Sequence, residues 1–234
     1  MTTRLYLILN GLRKNNVSTL LRSCAAFNAV AVLCGALAQI PLQQLRMADH
    51  GSAQFVTILR FARLADAVAH LRALNVHVCG VEIHPTAVAV DSTSVAPFRP
   101  GATALLLGCE GDGLSEQQMA LCDHFVYIPH YGNGTASLNV AIAGSICMHR
   151  FASWAQFKER EIDPECAHKF LVDRAEVVAR QTAEGDDIRR DRAAAREQFE
   201  NGDSDVVDVD TLLLQASENG RDGGIVVAGD EDDR

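Results

Sequence analysis

The chain has 234 residues, 48% of them hydrophobic, with 21 Lys+Arg against 30 Asp+Glu and a formal net charge of −9. That is enough apolar content for one well-cored domain plus an appendage, and it excludes a small disulfide-stapled scaffold. No apolar run approaches the roughly 18–20 residues of a membrane span, and the stretch 5–9 is too short for a signal peptide. The expectation is a soluble protein, cytoplasmic because no Arg/Ser-rich presequence leads it, with no membrane partner.

In chain order, residues 4–9 read as a buried strand. Residues 16–27 carry Val17, Leu20, Leu21, Cys24 and Phe27 at helical spacing, and 30–34 is strand-like again. A polar, irregular stretch over 43–54 separates this unit from a strand at 56–59, a helix at 64–74 and a strand at 76–83. Then follow a strand at 104–107, a helix at 115–121, a strand at 125–128 and an apolar helix at 138–154. Such alternation predicts an α/β fold, a parallel sheet with helices on both faces.

Beyond residue 158 the texture changes. Asp163-Pro164 can start a helix, and Phe170, Leu171, Val177 and Val178 supply a partial stripe for docking it. From about Ala183 the chain is rich in charge, then in Gly and Asp, with isolated apolar clusters such as Ile225 to Val227. The domains expected are therefore 1–158, a docked helical extension at 159–183, and an acidic, disordered tail at 184–234 that can hold short segments for a protein partner. Charge divides the same way: residues 1–158 net +3 and residues 159–234 net −12. The folded part is mildly basic and can approach a polyanion despite the acidic total.

The seven cysteines are odd in number, sit mostly within apolar runs and show no C-x-x-C spacing. They read as reduced, buried thiols rather than a disulfide framework or a zinc site. His124 and His130, the closest histidine pair, lack a thiolate or carboxylate cluster beyond Cys122 and Asp123, and read as separate surface or hydrogen-bonded residues. No metal is expected.

Three segments at strand-to-helix junctions carry the chemistry. The first runs from Asn15 to Ser23, where Arg22 follows Ser18 by four residues on one helix face, away from the apolar stripe. The second runs from Leu105 to Gln118: a strand enters a glycine loop, and Ser115 with Gln118 fits a capping box. Glu110 at the loop's centre would repel a pyrophosphate, and neither G-x-G-x-x-G nor a Lys-Ser/Thr ending is present, which argues against a dinucleotide-dependent dehydrogenase. The third runs from Ile128 to Val140, in which Ser137 and Asn139 are placed to cap a helix. Taken singly, each reads as a solvated charge, a turn or a cap. Together they lie where the carboxyl ends of a parallel sheet form a ligand crevice.

The order and content of these segments resemble the SpoU/TrmH branch of the SPOUT methyltransferases, whose motifs read approximately N-V-G-x-x-x-R, G-x-E-G-x-G-[LM] and I-P-x-x-G…S-L-N-V. The likeness covers about residues 5–155, and the phrase IPHYGNGTASLNVAIAG is similar to eukaryotic members that methylate tRNA ribose. The resemblance implies a trefoil-knotted α/β domain, a homodimer, and methyl transfer from S-adenosylmethionine to an RNA ribose 2′-hydroxyl, with tRNA as the first-choice substrate and rRNA as the alternative. It places the catalytic residues at Asn16, Arg22, Glu110, Ser137 and Asn139. Cofactor contacts fall at Gly108, Ile128 and Leu138, with Val81 and Glu82 at the end of a strand.

Two departures from the family pattern stand out. Ser18 replaces a glycine, and Asn28 stands where glycine commonly follows Phe, a substitution that a left-handed backbone tolerates. Arg13, Lys14, Arg46, Arg60, Arg63 and Arg72 are candidate phosphate contacts. A non-catalytic RNA-binding or scaffold protein on the same fold is the other functional class, separated from the enzyme by cofactor binding and transfer of label to RNA.

Overall fold

Strand-forming runs that are apolar without a break must be covered on both faces, and the computed structural model shows this arrangement. It describes residues 3–45, 52–109, 113–162, 164 and 226–227. The elements are β1 (Leu5–Asn10), α1 (Lys14–Ala26), β2 (Ala29–Cys34), β3 (Ile58–Phe61), α2 (Leu64–Ala73), β4 (Val76–Val81), β5 (Val88–Ala89), β6 (Ala102–Leu107), α3 (Glu116–Met119), β7 (His124–Tyr127), α4 (Val140–Trp154) and β8 (Val226–Val227). The sheet order is β5-β7-β4-β6-β1-β2-β3-β8, and all of its pairings are parallel.

Alternation along β1 sends its side chains to two cores. Leu5, Leu7 and Leu9 pack with Leu20, Leu21 and Cys24 of α1 and with Cys147, Met148 and Phe151 of α4. Tyr6 and Ile8 face the other side, with Ala67, Val68 and Leu71 of α2 and Leu114 before α3. Helices thus cover both faces, as the alternation predicts. α1 and α4 lie side by side: Ser23 Oγ is 2.8 Å from Ser145 Oγ, and Cys24 meets Met148. Gly144 permits this closeness, since a Cβ there would stand 2.7 Å from Leu20 Cδ2.

Several sequence expectations need correction. The strand expected at 56–59 lies at Ile58–Phe61, because Val56 is buried at the end of a 3-10 turn (Ser52–Phe55) rather than in the ladder. The strand expected to reach residue 83 ends at Val81; Ile83 is exposed. The helix expected over 115–121 has only four residues, with Ser115 as its N-cap in a complete capping box. β5, of two residues, escaped the sequence reading altogether.

The helix expected after Asp163-Pro164 and the expected disordered tail fall almost wholly outside the described residues. In that tail, Val226–Val227 pairs with β3 as β8. By contacts the chain divides into Met1–Phe157 with Gly224–Arg234, and Lys158–Gly223. Among the described residues, no helix is long and apolar enough to cross a membrane.

Cys24, Cys34, Cys79 and Cys147 are buried free thiols, and Cys109 and Cys122 are half-buried ones; Cys166 lies outside the described residues. Burial pushes the thiols of Cys24, Cys34 and Cys147 up to about 12, which leaves them inert. His124 departs from expectation: it is half-buried, and neither ring nitrogen finds a hydrogen-bond partner. Asn28 has φ 53, the left-handed conformation that asparagine was expected to tolerate there.

Candidate functional site at the carboxyl edge of the sheet

In a wholly parallel sheet, loops that follow strands emerge at one edge. The first, second and third segments follow β1, β6 and β7, and β7, β4, β6 and β1 are consecutive in the sheet. The three segments therefore share that edge.

At the first junction Gly11, with φ +68, turns the chain out of β1. Helix α1 begins two residues earlier than its spacing predicts, with Arg13 as an N-cap that makes no side-chain cap. Asn16 is then in the first turn, half-buried. Ser18 and Arg22 are four apart, yet Ser18 is buried and Arg22 exposed. The expectation that both point away from the apolar stripe fails for Ser18, because burial follows what each turn meets and not helix phase alone. No hydrogen bond or ion pair ties the Arg22 guanidinium to a described residue.

At the third junction Asn139 is the N-cap of α4. Its Oδ1 accepts from the N–H groups of Ala141 (2.9 Å) and Ile142 (3.4 Å), and its Nδ2 donates to Asn16 Oδ1 at 3.2 Å. The cap fixes which end of the amide faces the helix, so the NH2 end is left for Asn16. Ser137 does not cap. The Thr135 hydroxyl donates to the Ser137 carbonyl at 2.8 Å and accepts its N–H at 3.3 Å, while Ser137 itself is exposed.

The second junction is a clipped loop. Cys109 and Gly113 exchange backbone hydrogen bonds of 2.9 and 3.2 Å. Gly108 is required by close approach, since a Cβ there would run into the backbone of Gly113. Glu110 lies outside the described residues. Glu82, beyond β4, turns its carboxylate to this loop: Oε2 accepts from Leu114 N–H at 2.8 Å and Oε1 from Ile83 N–H at 2.9 Å. Nothing in the local pattern around Glu82 announces that contact, because its partner is 32 residues away.

Val81 is half-buried against the core, as is Ile128. Leu138 is 37% exposed at the edge of the sheet. No backbone–backbone hydrogen bond joins residues 129–138 to any described residue. This edge therefore offers apolar side chains beside main-chain donors and acceptors, a combination that suits a nucleoside.

Of the candidate phosphate contacts, Arg60 donates to the carbonyls of Ala38 (2.6 Å) and Ile40 (2.9 Å), and Arg63 pairs with Asp66 at 2.7 Å. Arg72 pairs with Asp123 at 3.1 Å. Arg60 is thus tied into the fold, whereas Arg63 and Arg72 make surface ion pairs and keep side chains 77% and 46% exposed. Arg13 and Lys14 are exposed at the start of α1, and Arg46 lies outside the described residues.

The SpoU rRNA Methylase family model matches residues 4–149. The 23S rRNA (guanosine-2'-O-)-methyltransferase RlmB of Salmonella typhi is 33% identical over 145 residues, covering 61% of this chain and 57% of that protein. The chain thus spans little more than half the length of that relative. A putative RNA methyltransferase of the TrmH family from Porphyromonas gingivalis is 27% identical, with a TM-score of 0.54 over 64% of this chain and 60% of its own. An AdoMet-bound rRNA methyltransferase from Sinorhizobium meliloti shares the fold at 23% identity, TM-score 0.57, covering 67% and 57%.

Proposed function

The chain belongs to the SpoU rRNA methylase family, and from that premise we propose that it transfers a methyl group from S-adenosylmethionine to a ribose 2′-hydroxyl of RNA. The observation that carries this reading is the Asn139–Asn16 hydrogen bond, which joins two of the three junction segments across 123 residues of sequence.

The residues present fit the cofactor. Gly108, Gly113 and Leu114 of the second segment, Ile128, the exposed Leu138 and main-chain groups of 129–138 outside the Thr135–Ser137 turn would hold its adenosyl part. When bound, it supplies a methyl already activated by a sulfonium, so the protein's task is alignment and exclusion of water. Asn16 and Asn139, each orienting the other, position the ribose with Ser137. Arg22, whose guanidinium is exposed, clamps an RNA phosphate and stabilises charge that develops on the ribose oxygen. A neutral guanidine acting as base is disfavoured by a pKa above about 12. Glu110, outside the described residues, completes the catalytic set on the family resemblance.

The knot and the homodimer belong to this proposal and rest on the family resemblance. Two RNA acceptors have support. The name of the Salmonella relative favours ribosomal RNA, whereas the 128–144 phrase resembles enzymes of tRNA. Incubating the chain with methyl-labelled cofactor and separate rRNA and tRNA pools tests both. Label in either pool supports the reading, and cofactor uptake without label in any RNA would favour the non-catalytic class.

A further inference from the structure

Glu82 entered the sequence reading as a cofactor contact, but its carboxylate is already spoken for. Oε1 accepts from Ile83 N–H at 2.9 Å, and Oε2 reaches across from the end of β4 to Leu114 N–H at 2.8 Å. Leu114 is the exit of the loop that begins at Gly108. The same loop is clipped by the reciprocal Cys109–Gly113 bonds, and Gly108 is pressed against the backbone of Gly113. Gly113 has φ +67, and a Cβ there would collide with Glu82 Oε2, so the left-handed residue and the carboxylate are fitted to one another.

We propose that Glu82 is a positioning residue: its carboxylate fastens Leu114 and so holds Gly113 and Leu114 in place beside Gly108 for the cofactor, without touching the cofactor itself. This rests on the reading that Gly108, Gly113 and Leu114 line the cofactor site. Two acceptor oxygens are needed for two N–H groups. Glutamine supplies one and presents an NH2 to the other, and aspartate is a methylene too short to reach Leu114.

The test uses the full chain with Glu82→Ala and Glu82→Gln. It combines amide hydrogen exchange at Leu114 with calorimetric titration of S-adenosylmethionine and the RNA KM. Glu82→Ala is expected to speed Leu114 exchange and to weaken cofactor binding about tenfold, the effect of losing a charge-assisted hydrogen bond, with the RNA KM within about twofold of wild type. Glu82→Gln recovers part of both losses through its one remaining acceptor, and carries the test if the alanine variant fails to fold.

Weakened binding with Leu114 exchange unchanged overturns the proposal in favour of direct contact. Unchanged cofactor affinity overturns it outright, and so does faster exchange spread through β4 and β6, which marks a merely structural role. A wild-type chain that takes up no cofactor refutes the family-based function instead. Leu114 exchange alone then decides the anchoring: faster in Glu82→Ala upholds it, unchanged overturns it.

Discussion

At the scale of single residues, Asn139 does two jobs with the two ends of one amide, and they can be separated. Asn139→Asp keeps an oxygen for the N-cap of α4 but presents a second oxygen to Asn16 Oδ1 in place of a donor. It should fold with nearly wild-type Tm and lose at least about tenfold in turnover, whereas Asn139→Ala should also lose about 1 kcal/mol of stability with the cap. Thermal melts beside initial rates check this; a fully active aspartate variant would remove Asn16 from the site. Arg22→Lys keeps the charge and loses the fork, and is expected to cut kcat about tenfold or more. Near-full turnover in that variant would contradict the clamp.

His124 shows what residue-level sequence reading misses. Burial first, and the Arg99 cation second, hold its imidazole down to about 4, against an ordinary value of 6.5. The unfolded chain therefore binds a proton more readily than the folded one between those values, and His124 costs stability progressively as pH falls from about 6.5 towards 4. Wild-type Tm should drop more steeply over that window than the Tm of His124→Leu; parallel curves would count against this. Cys122 and Asp123 beside it gave no sign that both ring nitrogens are orphaned, because that depends on strands and loops distant in sequence.

At the scale of elements, the order of strands and helices was legible because it is written in local apolar spacing, while boundaries were set by contacts that spacing does not record. Val56 is apolar and buried, as a strand residue should be, yet it ends a 3-10 turn and the ladder begins two residues later. β5 is two residues long and carries no period to detect. The Ser115–Gln118 capping box was legible, being wholly local. The loop before it was not: that Gly108 abuts Gly113, and that Glu82 fastens Leu114, follows from adjacent strands. Gly108→Ala is therefore predicted to cost about 1–3 kcal/mol as an overpacked contact against backbone that cannot rotate away. Denaturant titration checks this, and a neutral substitution would mean that the loop is looser than described.

At the scale of the whole molecule, the split between a mildly basic part and an acidic remainder fits the proposed RNA substrate despite the acidic total. Arg60 is held by two carbonyls inside the fold, while Lys14 and Arg22 of α1 are exposed cations next to the first junction. The family was legible because three short motifs kept their order and their strand-to-helix context. The site's wiring was not, since the hydrogen bond that joins its first and last motifs closes only once the sheet has formed.

The most direct measurement is digestion to nucleosides of RNA incubated with the protein and methyl-labelled S-adenosylmethionine, followed by mass spectrometry of the labelled product. The account predicts label on a ribose 2′-oxygen with wild type and a sharp loss with Asn139→Asp. Label on a base, or a ribose label that Asn139→Asp leaves undiminished, would contradict it.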